Sequence, residues 1–159
     1  MEKVINSILN EVKYVPKCGA PGNLVVFGPN ALPILTGSDC SSVIFAAAEY
    51  GKGRVFVTSH ELYLTNFTKF PKEFSNLWQN IKNWLTKDQI IDDENDIKNI
   101  EDFTSSSELI KSAPKIVKWN GSAHINEIFV DQFLKKYVQN GGSVLCGLCP
   151  WGQDLNAID

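Results

Sequence analysis

The chain has 159 residues, 43% of them hydrophobic, with four tryptophans and a net charge of −3, enough to bury the core of one ordered domain. Arg54 is the sole arginine, and no basic stripe with interleaved aromatics runs along the chain, which argues against a nucleic-acid partner. No apolar run approaches the roughly 20 residues of a membrane span, and Met1 to Tyr14 mixes charge with apolar residues, unlike a secretory leader; the expectation is an intracellular, cytoplasmic protein without direct membrane insertion.

Glu2 to Tyr14 sets Val4, Ile5, Ile8, Leu9 and Val12 on one helical face, predicting a short amphipathic helix ended by Pro16, Gly19, Pro21 and Gly22. Leu24 to Phe27 is expected as a short buried strand stopped at Gly28-Pro29-Asn30, and Ala31 to Thr36 as an extended segment. Val43 to Glu49 and Arg54 to Ser59 form a hairpin about the Tyr50 to Gly53 turn, where Gly51 and Gly53 permit unusual backbone angles. The second strand delivers His60 and Glu61 to its carboxyl end, the side on which open α/β sheets bind ligands.

Pro71 opens the next helix, and Phe74, Leu77, Trp78, Ile81, Trp84 and Leu85 recur at spacings of three and four, a core-facing stripe. Seven acids (Asp88, Asp92, Asp93, Glu94, Asp96, Glu101, Asp102) against Lys98 alone mark 88–102 as a solvated connection. A strand–helix–strand unit follows: Lys115 to Trp119, a helix capped by Asn126 with Phe129, Val130, Phe133, Leu134, Tyr137 and Val138 inward, a stop at Asn140-Gly141-Gly142, and Ser143 to Cys146. This is a right-handed parallel crossover whose apolar strands suit a sheet covered on both faces.

Three constellations could carry chemistry. Gly142 to Gly147 is a strand running into a glycine-flanked cysteine, like a nucleophile elbow; with His60 as base and Glu61 or Glu49 as orienter, Cys146 would make a cysteine-dependent hydrolase or amidase. A strained turn leading straight into a helix is missing from Cys149-Pro150-Trp151-Gly152, so the set is incomplete. Second, Asn120-Gly121-Ser122-Ala123-His124 follows a strand, and His60, Asn120 and Ser122 could line one ligand cleft, His124 reading equally as a turn or capping residue. Third, Gly28-Pro29-Asn30 lacks the helix that a phosphate cradle needs, and no dinucleotide or P-loop signature occurs, so no cofactor is expected. Cys146 and Cys149 form a C-x-x-C that could be redox-active or simply buried. A zinc site would need a second close pair, which the distant Cys18 and Cys40 do not supply, so no metal is expected either.

Gly28-Pro29-Asn30-Ala31-Leu32-Pro33-Ile34, then Ala46 to Leu64 with its glycine turn and Ser59-His60-Glu61-Leu62-Tyr63-Leu64, then Asn140 to Gly147 followed by a tryptophan, resemble the N-terminal region of the TRP channel-associated factor family (TCAF) over nearly the whole chain. The resemblance implies a class I glutamine amidotransferase-like, flavodoxin-like α/β domain: a mainly parallel sheet flanked by helices, with an antiparallel hairpin portion, possible truncation at the end, and residues 1–159 as one domain forming the N-terminal part of a longer protein. It also implies a non-catalytic module whose protein partner is a TRP cation channel, acting on the channel's trafficking to the plasma membrane and on its activity. Later regions of that family carry an enhancin-like metallopeptidase domain with His-Glu-x-x-His, a motif absent from this sequence. In catalytic amidotransferases the elbow cysteine precedes the histidine, whereas here His60 precedes Cys146; the family's segment at Cys146 typically lacks a cysteine nucleophile, so the resemblance carries over no triad.

Overall fold

The computed structural model describes residues 2–38, 40–69, 71–103, 111–112, 114–121 and 130–148. Its centre is a six-stranded sheet of β1 (Ala31–Thr36), β2 (Val43–Tyr50), β3 (Gly53–Thr58), β4 (Ile97–Asn99), β5 (Ile116–Asn120) and β6 (Ser143–Gly147). The spatial order is β1-β2-β3-β6-β5-β4. The β1–β2 and β2–β3 pairs are antiparallel, and β3–β6, β6–β5 and β5–β4 are parallel. The expected mixture of parallel layer and antiparallel hairpin is thus present, with the hairpin joined directly to the crossover strand β6.

Period-two alternation assigns each strand two faces. Phe45 and Ala47 of β2, Phe56 of β3, Leu145 of β6 and Ile116 of β5 join one apolar cluster with α1 (Glu2–Ile8), α2 (Leu62–Lys69) and α3 (Pro71–Thr86). Val117 of β5 and Val144 and Cys146 of β6 join a second cluster with Leu134 and Val138, and Val55 and Val57 of β3 pack against it. Those two cluster partners lie on a single helical stretch, a wide π-type turn (Val130–Leu134) that runs into α5 (Lys135–Gln139).

The stripe read in Pro71 to Leu85 is α3, with Phe74, Leu77, Ile81, Trp84 and Leu85 buried. Asn80 Nδ2 donates to the carbonyls of Ile8 (3.1 Å) and Asn10 (2.8 Å), tying α1 to α3. The Arg54 guanidinium lies 5.0 Å from the Trp84 ring, and its Nε donates to Glu49 Oε1 at 3.2 Å, so the sole arginine clamps the hairpin to α3.

Three expectations are corrected, and one helix is added. The first helix stops at Ile8, with Glu11 at φ 56°; Leu9, Val12 and Val15 still pack on the core as irregular chain. Residues 24–27 form no strand: Leu24 N–H donates to Val43 O (3.0 Å) and Asn23 Oδ1 accepts Val43 N–H (2.8 Å), but β1 already occupies that edge of β2, so no ladder is free to extend. The acidic stretch is more than a connection, since it holds α4 (Asp93–Asp96) and the edge strand β4, which pairs with β5; Ile97 and Ile100 supply the apolar anchors. Finally, α2 emerges immediately after His60, burying Tyr63, Leu64 and Phe67. Asn126 and Phe129, expected to begin the crossover helix, lie outside the described residues.

Candidate functional site at the carboxyl edge of the sheet

Three neighbouring parallel strands, β3, β6 and β5, end together, with Thr58 paired to Gly147 and Gly147 to Asn120. Since strands stand about 4.8 Å apart, the ends that carry His60 and Asn120 flank the end of β6.

His60 is held from several directions. Ser59 N–H donates to Ile44 O (2.9 Å), Gly22 N–H donates to Ser59 O (3.1 Å), and the buried Thr58 hydroxyl donates to His60 O (3.0 Å). The imidazole is 6% exposed, and Gly19 lies over it at φ +61°, where a Cβ would fall 2.4 Å from Nε2. A side chain at position 19 would meet both that ring and an unfavourable backbone angle. Leu62 N–H donates to Nδ1 (3.2 Å), which makes Nδ1 an acceptor and puts the proton of a neutral imidazole on Nε2. Glu61 Oε2 stands 3.1 Å from the same Nδ1 and has no other partner although buried. With the Leu62 bond made, Nδ1 turns its lone pair outward beside Glu61; a ring carrying its proton on Nδ1 would instead donate to Glu61 and forgo the Leu62 bond. While Nδ1 accepts from Leu62, the pair differs from the base–orienter contact of a triad, in which the carboxylate accepts from the ring.

Cys146 is placed elsewhere. It lies inside β6, opposite Val57 and Trp119, 5% exposed, among Ile100, Val117, Leu134, Val138 and Val144. The loop that covers His60 instead carries Cys18 and packs with Tyr63 into the other cluster. The structure thus brings His60 and Glu61 together and puts Cys146 in the cluster on the opposite face. Burial pushes the Cys146 thiol from 9.0 up to about 12, which keeps it protonated and poorly nucleophilic. Asn120 sits exposed at the end of β5, whereas Ser122, His124 and Cys149 lie outside the described residues. Among the described residues no group of three or more His, Cys, Asp or Glu could hold a metal ion.

Two features of this edge had no sequence signal. Cys18 is buried near His60's cover; Asn66 Nδ2 approaches its Sγ at 3.1 Å and its own N–H donates to Tyr63 Oη at 3.4 Å. Burial raises the Cys18 thiol, with the Asn66 bond opposing. Ser59 Oγ is buried without a partner.

The buried thiol sets an alkaline limit. An unfolded chain releases the Cys146 proton near 9, whereas the folded chain holds it to about 12, so stability falls as pH rises through that window. Tyr137, also raised by burial, acts in the same direction. Urea unfolding at pH 8 and pH 10.5 is expected to show this loss, and Cys146→Ala to shrink it; an unchanged pH slope in the variant would count against a buried thiol.

A family model described as the TRPM8 N-terminal domain (TCAF_N) matches residues 1–154. Human TRPM8 channel-associated factor 2 is 40% identical over 52 residues, 33% of this chain and 6% of that protein. Mouse TRPM8 channel-associated factor 3 is 42% identical over 50 residues, 31% of this chain and 5% of its own length, and a Danio rerio homolog is 45% identical over 47 residues, 30% and 5% respectively. These alignments thus span a small fraction of the curated relatives. Among solved structures, the IMPa metallopeptidase from Pseudomonas aeruginosa shares the fold at TM-score 0.68 and 14% identity, over 92% of this chain and 19% of that one; its complex with an O-glycopeptide gives TM-score 0.68 at 11% identity with the same coverage. Matched by its family model over residues 1–154 of 159, the chain belongs to the TRP channel-associated factor N-terminal domain family.

Proposed function

We propose that this chain is a non-catalytic interaction module of a TRP channel-associated factor-like protein, one that binds a cation channel and influences its trafficking to the plasma membrane and its activity. The names of the curated relatives, TRPM8 channel-associated factors, support the channel as partner. A glutamine amidotransferase-like, flavodoxin-like ancestry without catalysis, the N-terminal position in a longer protein and a cytoplasmic location belong to the same reading. Among the described residues no helix is long and apolar enough to cross a membrane, in keeping with attachment to a membrane through a partner.

The observation that carries the reading is an apolar strip with an exposed end among the described residues. Val25 and Phe27 are each 83% exposed and line one depression with Ala46, Ala48, Val55 and Val57. Val55 and Val57 also line a second, apolar depression of about 370 Å³ that reaches Trp119, Leu134 and Val144, so the two are continuous. Exposed apolar surface of this kind marks protein-binding faces. In a pull-down with cytosolic segments of TRPM8, Phe27→Glu is expected to weaken retention on the order of tenfold, as for a central apolar anchor. Retention no better than background for the unaltered chain, with a positive control working, would defeat the proposal.

A second reading is a small ligand held at the carboxyl edge by His60, Asn120 and Ser122. Ser59 Oγ, buried without a partner, and Glu61 Oε2, which faces only His60 Nδ1, favour it, because such atoms call for a missing partner. A thermal-shift screen of small metabolites in which nothing moves the transition would remove its support. The Cys146–His60–Glu61 hydrolase draws no support from the positions of those residues.

A further inference from the structure

At the opposite end of the sheet, where β3, β5 and β6 begin, four lysines from distant parts of the chain line one cavity of about 620 Å³. Lys52 lies in the β2–β3 turn and is anchored by its N–H to Gln139 O (3.0 Å). Lys87 follows α3 at φ 56° and its Nζ donates to Lys52 O (2.6 Å). Lys115 precedes β5, its N–H donating to Asp96 O (2.8 Å) and its carbonyl accepting Ser143 N–H (3.1 Å). Lys136 lies in α5, and Asn140 adds an exposed amide.

No described carboxylate lines this cavity. Asp88, the acid next to Lys87, lines a separate depression with Arg54, and Asp96 turns its carboxylate to Asp92 N–H (2.9 Å). Lysines near helix ends often complement the helix dipole, which would account for Lys87 and Lys136. Lys52 and Lys115 belong to no helix, so the dipole does not explain the convergence. In a chain of net charge −3, four like charges repel one another unless a counter-ion joins them, and a cleft lined by one sign concentrates the opposite one. The backbone N–H groups of Asn140, Gly141 and Gly142 are already bonded to Lys136, Val138 and Tyr137 carbonyls, leaving the ammonium groups as the principal donors. Ammonium is a point-charge binder of phosphate rather than a bidentate reader of planar groups.

We propose that this lysine cavity binds a compact anion bearing two or more phosphate groups. The site is confined to one cavity rather than drawn out as a stripe, which distinguishes it from a nucleic-acid track. It is independent of the channel-binding reading and lies apart from the Phe27 strip.

The test is calorimetric titration of inorganic phosphate and of pyrophosphate into the chain at low ionic strength. Pyrophosphate is expected to bind more tightly than phosphate and to weaken as sodium chloride screens the lysines. The double variant Lys52→Gln/Lys136→Gln should lose about tenfold or more in affinity, while Lys72→Gln, on the exposed side of α3, should stay within about twofold. Circular dichroism verifies that each variant is folded; the salt dependence of the unaltered chain tests the same claim without any variant. Flotation with phosphatidylcholine vesicles, with and without a phosphatidylinositol bisphosphate, separates the sources. Lysine-dependent flotation competed by pyrophosphate assigns a lipid headgroup, and pyrophosphate binding without flotation assigns a soluble phosphate. No pyrophosphate binding, equal losses in Lys72→Gln and the double variant, or binding of polyglutamate in place of pyrophosphate would overturn the proposal.

Discussion

Alanine at Phe45 is expected to cost about 3–5 kcal/mol of unfolding free energy, the range for removing a fully buried phenylalanine. The ring is 0% exposed and stands 5.7 Å from Phe56, 4.8 Å from Tyr63 and 6.5 Å from Phe67 between centroids. It therefore links β2, β3 and α2 in one aromatic set, and truncation leaves a cavity bordered by rings held in place by other contacts. Domains of this kind have only about 5–15 kcal/mol in total, so the variant should unfold at much lower urea, followed by circular dichroism. Leu62→Ala, at a 40% exposed position on the same helix, should cost under about 1 kcal/mol. The loss also has a local consequence: Tyr63 packs edge-on against Phe45 and its hydroxyl accepts the Cys18 N–H, so Phe45→Ala should loosen the loop over His60. A loss for Phe45→Ala as small as that for Leu62→Ala would mean that this aromatic set is not the centre of the core.

Elements that repeat their own pattern were readable. Phe74 to Leu85 could only bury one stripe, the residues flanking Gly51-Lys52 could only turn back, and Lys115 to Cys146 alternated strand and helix signals in the order of a parallel crossover. What failed to show was competition between elements. Leu24 to Phe27 is as apolar as a strand, yet β1 takes the edge that it would need. Ile97 and Ile100 are sparse among acids, but the open edge of β5 makes Ile97 to Asn99 a strand. At the candidate site the sequence correctly put His60 at a strand's carboxyl end, but not which face its neighbours occupy. That depends on register: with Val57 opposite Cys146, the thiol turns to α5. The lysine cavity was invisible for the same reason, since Lys52, Lys87, Lys115 and Lys136 share no local pattern and meet only through the strand order.

Gly53→Ala tests the joint on which that strand order rests. A Cβ at Gly53 would lie 2.1 Å from Gly142 O, 2.2 Å from Val138 O and 2.9 Å from Val138 Cγ1. The two oxygens are backbone atoms of the α5–β6 corner, where Val138 O accepts the Gly141 N–H (2.9 Å) and the Gly142 N–H donates to Tyr137 O (3.0 Å), so neither can rotate aside as a flexible side chain would. Overpacking in a tight site usually costs about 1–3 kcal/mol, occasionally more, and a clash with two carbonyls belongs at or above the upper end. Lys52→Gln, one residue earlier on the exposed turn, should stay within about 0.5 kcal/mol. Relief of the clash requires the hairpin to move away from α5, which displaces Lys52 relative to Lys136. Gly53→Ala should therefore lower both the urea midpoint and the affinity for pyrophosphate, whereas Phe45→Ala, whose cavity opens on the far face, should lower stability alone while the protein remains folded. If Gly53→Ala unfolds at the same urea concentration as the unaltered chain, α5 does not close onto the start of β3, and the lysines have no shared wall to line.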